Sequence, residues 1–154
     1  MSVVSQLQIQ KQNMINSILN EQSQITKYEQ AYESLRLFKE SVMSSQGEFV
    51  SVNQQKELLL EQVRAISGNC RTAKKYASGM GNTLSGVGMK AVGVTYEALL
   101  FSIGLKLSYY LRKIESGEDR IADWNQQIVR LDGEIEAAKQ AEQLAMMQQE
   151  EDKV

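Results

Sequence analysis

Proline is absent from all 154 residues. A proline inside a helix removes a backbone hydrogen bond and clashes with the preceding turn, so its absence leaves room for long unbroken helices. Histidine is also absent. That removes the side chain that most often moves protons near neutral pH and most often ligates transition metals. The single cysteine, Cys70, excludes an intramolecular disulfide and any multi-cysteine metal site. Arg71, Lys74 and Lys75 beside it would lower a thiol pKa, but a small semi-buried residue is the plainer reading. A basic surplus is missing too: 17 basic and 19 acidic residues give a net charge of −2, with the signs interspersed. Nucleic acid is therefore not an expected partner, because phosphate binding needs basic residues concentrated on one face. The first residues, MSVVSQLQIQKQN, carry neither the basic start nor the apolar run of a secretory signal.

What remains is heptad periodicity. From Val4, one seam position holds Leu7, Met14, Glu21, Tyr28, Leu35, Val42 and Phe49, and the other holds Val4, Lys11, Ile18, Ile25, Tyr32 and Lys39. Alternating steps of three and four keep these side chains on one stripe of a helix. Glu21, Lys11 and Lys39 interrupt the stripe, and such polar intrusions weaken packing while fixing alignment. The spacing predicts a helix from about Val3 to Ser44, a soft spot at Ser44–Gly47, and a resumed helix containing Leu58, Leu59, Leu60, Val63 and Ile66. Ile66–Cys70 reads as a second weak point.

The second half is more regular. Leu100, Leu107, Ile114, Ile121, Ile128 and Ile135 occupy one seam position. Tyr96, Ile103, Tyr110, Gly117, Trp124, Leu131 and Ala138 occupy the other. This pattern predicts a long helix in coiled-coil-like packing. Gly117 marks a kink or a close approach by the facing helix. Val94, Leu99, Phe101 and Leu105 lie off this seam. A two-helix arrangement cannot cover them, so they form an exposed apolar patch of the kind that marks a partner site. Lys90, Glu97 and Lys106 interrupt the same stretch, which argues against a membrane span.

Five of the ten glycines lie between Gly79 and Gly93. Each costs a helix interior about 1 kcal/mol relative to alanine, so this stretch predicts the bend. The expected fold is all-α: one antiparallel helical hairpin with an arm at about 3–78, a bend at 79–93, a second arm at 94–145 and a frayed tail at 146–154. No catalytic set is visible, and no cofactor or metal is expected. Gly81-x-x-x-x-Gly86 is not a phosphate loop, because Val87 stands where lysine is required and no strand precedes it. Glu115, Glu118 and Asp119 read as a solvated face. The chain is not expected to be an enzyme.

Two long proline-free arms joined at a glycine-containing bend resemble the WXG-type helical hairpins of Gram-positive type VII secretion. The resemblance is closer to the longer accessory proteins encoded beside LXG toxins. Leu84-Ser85-Gly86 stands where that family has Trp-x-Gly, with Val92 as the apolar residue about six positions later. The family's aromatic-x-x-x-acidic export motif is absent: Tyr109 is followed four on by Lys113, Tyr110 by Ile114, and Trp124 by Ile128. This fits a subunit that supplies the hairpin while a partner supplies the signal. The resemblance implies a targeting factor or chaperone that binds the N-terminal helical domain of an LXG-type toxin, with a second small helical accessory protein as a further partner. It also implies a cytoplasmic protein that leaves with its partner by a route independent of a signal peptide. Tyr96, Leu100, Phe101, Ile103, Leu107, Tyr110, Ile114, Ile121, Trp124, Ile128 and Leu131 are the expected seam or partner-binding residues. The alternatives are a self-associating structural coiled coil, such as a homodimer, and a helical chaperone of the type III secretion kind.

Overall fold

The computed structural model describes residues 2–66 and 71–154, and every regular element among them is helical. Helix α1 spans Val3–Ile66, α2 spans Arg71–Leu84 and α3 spans Val87–Glu151. The chain is an all-α antiparallel helical hairpin. Of the weak point expected at Ile66–Cys70, only Ile66, the last residue of α1, is described; the rest, and with it the reading of Cys70, falls outside the described residues.

Helix α1 starts at a side-chain cap. Ser2 Oγ accepts the Ser5 N–H at 3.1 Å, satisfying one of the donors a helix N-terminus leaves free. The soft spot expected at Ser44–Gly47 does not interrupt the helix, which runs on to Ile66. Packing overrides propensity there. Val42 is buried on one side of the spot, and on the other side the Phe49 ring lies 5.9 Å from that of Tyr96. A single exposed glycine costs about 1 kcal/mol, too little to break a helix held at both flanks.

The contacts divide the chain into two compact units. One comprises Met1–Ala31 with Tyr110–Val154. Within it α1 and α3 run antiparallel: Lys11 meets Asp132, Glu21 meets Arg120, and Tyr28 meets Tyr110. Ile18, Ile25, Leu131 and Ile135 are its buried apolar side chains. Residues 141–151 continue α3 with exposed side chains, so the stretch expected to fray holds helix as far as Glu151.

The other unit is Tyr32–Tyr109. Its core is Val42, Ile103 and Leu107, with Tyr32, Leu35, Tyr96 and Leu100 packed around them. Further along, Asn53 Nδ2 lies 3.9 Å from Met89 Sδ. Beyond that, Lys56, Leu59, Leu60 and Val63 of α1 line one small groove with Tyr76 and Met80 of α2.

A helix break falls at Ser85–Gly86, the two residues between α2 and α3, but it is not the reversal expected at 79–93, and Arg71–Leu84 does not belong to a first arm reaching residue 78. The packing back along α1 begins earlier, since Tyr76 and Met80 of α2 already lie against it. The glycine stretch therefore bends a helix that has already turned back. Local hydrogen bonding explains where the bend falls. Ser85 Oγ donates to the Gly81 carbonyl at 2.7 Å, and Thr83 Oγ1 donates to the Gly79 carbonyl at 3.0 Å. Such back-bonding bends helices. The Gly86 N–H then reaches the Thr83 carbonyl at 3.4 Å, a tightened turn. A Cβ on Gly86 would lie 2.7 Å from the Asn82 carbonyl oxygen. Because that oxygen belongs to the backbone, it cannot swing aside. Gly86→Ala is expected to shift the break and lower stability by about 1–3 kcal/mol, read as an earlier urea midpoint. An unchanged midpoint would show that the close approach is not needed.

Candidate functional site: an open apolar stripe beside a paired seam

The heptad residues of α3 sort by face. Ile103, Leu107 and Leu131 are buried, and Leu100, Ile114, Ile121, Trp124 and Ile128 are half-buried. Tyr96 packs on Phe49, and Tyr110 on Tyr28 with ring centroids 6.1 Å apart. Phe101 stands apart from this set: 70% of its surface is exposed. Of the bend motif, Leu84 is half-buried beside Leu60, Arg64 and Gly81, Gly86 sits at the break, and Val92 is exposed beside Thr95 and Leu99.

Two of the polar intrusions in the α1 seam have partners across the hairpin. Lys11 Nζ is 2.6 Å from Asp132 Oδ1, and the Arg120 guanidinium donates to Glu21 Oε1 at 2.6 Å. The hydrogen bond to Glu21, helped by that residue's charge, pushes the Arg120 guanidinium pKa further upward. One residue is close to both features of the seam. A Cβ on Gly117 would lie 2.8 Å from Glu21 Oε1 and 2.8 Å from Ile25 Cγ1. Gly117 is thus the close approach, and only a residue without a side chain fits between α3 and Ile25. Seam spacing could not reveal these pairings, because it says which residues face inward but not which residues meet.

The exposed side of α3 has its own order. Val87, Ala91, Val94, Ala98, Phe101 and Leu105 are all exposed. They follow one another in steps of four and three, which places them on one stripe. At 100° per residue this stripe lies on the side of α3 away from the seam residues Tyr96, Ile103 and Leu107. A second open row, not anticipated from sequence, lies on α1: Phe38, Val52 and Leu59 are exposed and sit at multiples of seven with Ser45 between them. The serine hides the repeat from a reading that looks for consecutive apolar positions. By length and composition, the α2–α3 stretch also contains a window apolar enough to cross a membrane, a test that core helices pass as well. Among the described residues, no group of three or more cysteine or carboxylate side chains is placed to hold a metal ion.

No family model, curated protein or solved structure matches this chain. The functional reading therefore rests on the stripes themselves and on the resemblance carried by Leu84-Ser85-Gly86 and Val92.

Proposed function

We propose that this protein is a non-enzymatic helical accessory protein that binds a helical domain of another chain, on the pattern of the partners of LXG-type toxins in type VII secretion. The observation that carries the reading is the pair of open apolar stripes on the Tyr32–Tyr109 unit, one on α1 and one on α3. Two helices cannot cover both their shared seam and their outer faces. A helix from another chain laid along a stripe would bury apolar area worth about 25 cal/mol per Å², with heptad spacing as the recognition pattern. Protein suits these faces better than lipid, since Lys90 and Glu97 border the α3 stripe and each charge is costly in hydrocarbon. The partner is taken to be the N-terminal helical domain of an LXG-type toxin. The chain would then act before export, in the cytoplasm, with neither a cofactor nor nucleic acid involved.

The test is co-expression with an LXG-type toxin domain encoded beside it. The wild-type chain is expected to co-purify. The double variant Phe38→Glu/Val52→Glu should lose most of the toxin while keeping its helical circular dichroism. If wild type captures no toxin domain, or if the double variant captures as much as wild type, this reading fails.

A further inference from the structure

The α3 stripe has two properties that bear on what covers it. First, its residue sizes alternate. Ala91 and Ala98 hold one position, while Val87, Val94 and Phe101 hold the other, and Leu105 closes the row. Second, its border is nearly free of charge. Between Val87 and Leu105 the only charged residues are Lys90 and Glu97. Both are exposed, and they lie seven residues apart on the same edge of the stripe.

An edge that carries one lysine and one glutamate at heptad spacing is complementary to itself when two copies run antiparallel. In antiparallel helix pairs the residues flanking one edge face the same edge of the partner. A two-fold arrangement then sets Lys90 against Glu97 of the second copy and Glu97 against Lys90 of the second copy. That alignment also fixes the layers beneath. Val94 comes level with Ala91 of the second copy, and Val87 with Ala98 of the second copy. Each of these valines meets an alanine, the interdigitation that close helix packing needs. Heptad-shifted antiparallel alignments also set valine against alanine, so it is the charges that select this one: a shift of seven would set Lys90 against Lys90, or Glu97 against Glu97, of the second copy. A parallel pair would place Lys90 and Glu97 opposite Thr95 and Ser102 and use neither charge.

We infer that the Val87–Ala98 part of the stripe is a homodimer interface, in which α3 helices of two copies pack antiparallel with reciprocal Lys90–Glu97 pairs. This rests on the reading of the open stripes as protein interfaces. It assigns that part of the α3 stripe to a second copy and leaves the Phe38, Val52 and Leu59 row of α1 for the toxin helix. The resulting assembly is isologous, since the same patch serves both subunits, and it would carry two partner sites.

The experiment is light scattering and sedimentation of the full-length chain over a dilution series. Wild type is expected at twice the 17.3 kDa chain mass, dissociating on dilution. Val94→Asp should be monomeric and still helical. Glu97→Lys places two like-charge contacts in the interface and should raise the dimer Kd about tenfold. The double exchange Lys90→Glu/Glu97→Lys restores both pairs and should return the Kd to near the wild-type value. A wild type that stays monomeric at every concentration overturns the inference, including one that binds phosphatidylglycerol vesicles instead. So does a dimer whose Kd is the same in Glu97→Lys and in the double exchange. Toxin capture separates this from the broader reading. Val94→Asp monomers that still capture the toxin domain leave that function standing, whereas dimers that capture nothing remove it and keep the interface.

Discussion

Ile103→Asp is expected to unfold the Tyr32–Tyr109 unit, while Phe101→Glu, two residues away on the same helix, leaves it folded. Ile103 is 4% exposed and sits with Val42 and Leu107 under Tyr32, Leu35, Tyr96 and Leu100. Removing its side chain costs about 2–5 kcal/mol, and placing an unpaired carboxylate in the vacated space adds several more. A domain's whole stability is about 5–15 kcal/mol, so little helix should survive at 37 °C. Phe101 already faces water. A glutamate there is a good helix former and buries no charge within the chain, so its thermal midpoint should stay far above that of Ile103→Asp. Circular dichroism melts of the two variants side by side provide the check. If Phe101→Glu melts first, the inner and outer faces of α3 have been assigned the wrong way round.

Gly117→Val should open the Met1–Ala31 and Tyr110–Val154 unit where α3 comes close to Ile25. A Cβ there already meets Ile25 Cγ1 and Glu21 Oε1 at 2.8 Å, and valine adds two methyl groups beyond it. Overpacking of this kind costs about 1–3 kcal/mol. It should also disturb the Arg120–Glu21 contact, for which Glu21 needs its present position. The expected result is an earlier urea midpoint with an unchanged slope. Ile25→Ala alone should destabilise by leaving a cavity. Combined with Gly117→Val it should recover part of the loss, because the new methyl groups occupy the space the isoleucine vacated. Strictly additive effects of the two substitutions would mean that Gly117 and Ile25 do not touch.

The helical class, the antiparallel hairpin and the inward face of each arm could be read from heptad spacing. Val42, Ile103, Leu107 and Leu131 are buried where the pattern puts them. What could not be read depends on three-dimensional pairing. Gly47 looked like a weak point because glycine propensity is local, while Val42 and the Phe49–Tyr96 contact that hold the helix through it are not. The glycine stretch showed where a helix would break but not whether the chain had already turned back. The groove shared by Tyr76, Met80 and the end of α1 settles that, and nothing in the RTAKKYA segment announces it. Phe101 is exposed with Val94 and Leu105, off the seam as its spacing indicates. The Phe38, Val52 and Leu59 row escaped notice because Ser45 interrupts it.

A repeating apolar seam has an inherent ambiguity: two such helices can slide past each other by seven residues and still bury leucine against isoleucine. The Lys11–Asp132 and Glu21–Arg120 contacts and the gap at Gly117 remove it. Sliding one way sets Lys11 against Lys139 and Glu21 against Gln127, and drives Ile25 into Trp124. Sliding the other way leaves Lys11 against Asn125 and drives Ile25 into Tyr110. Each slipped state loses at least one ion pair and meets an aromatic ring where the native alignment has only a hydrogen atom. Of the three candidate alignments, only the native one fits, so a folding chain that zips up out of step has a reason to come apart and try again.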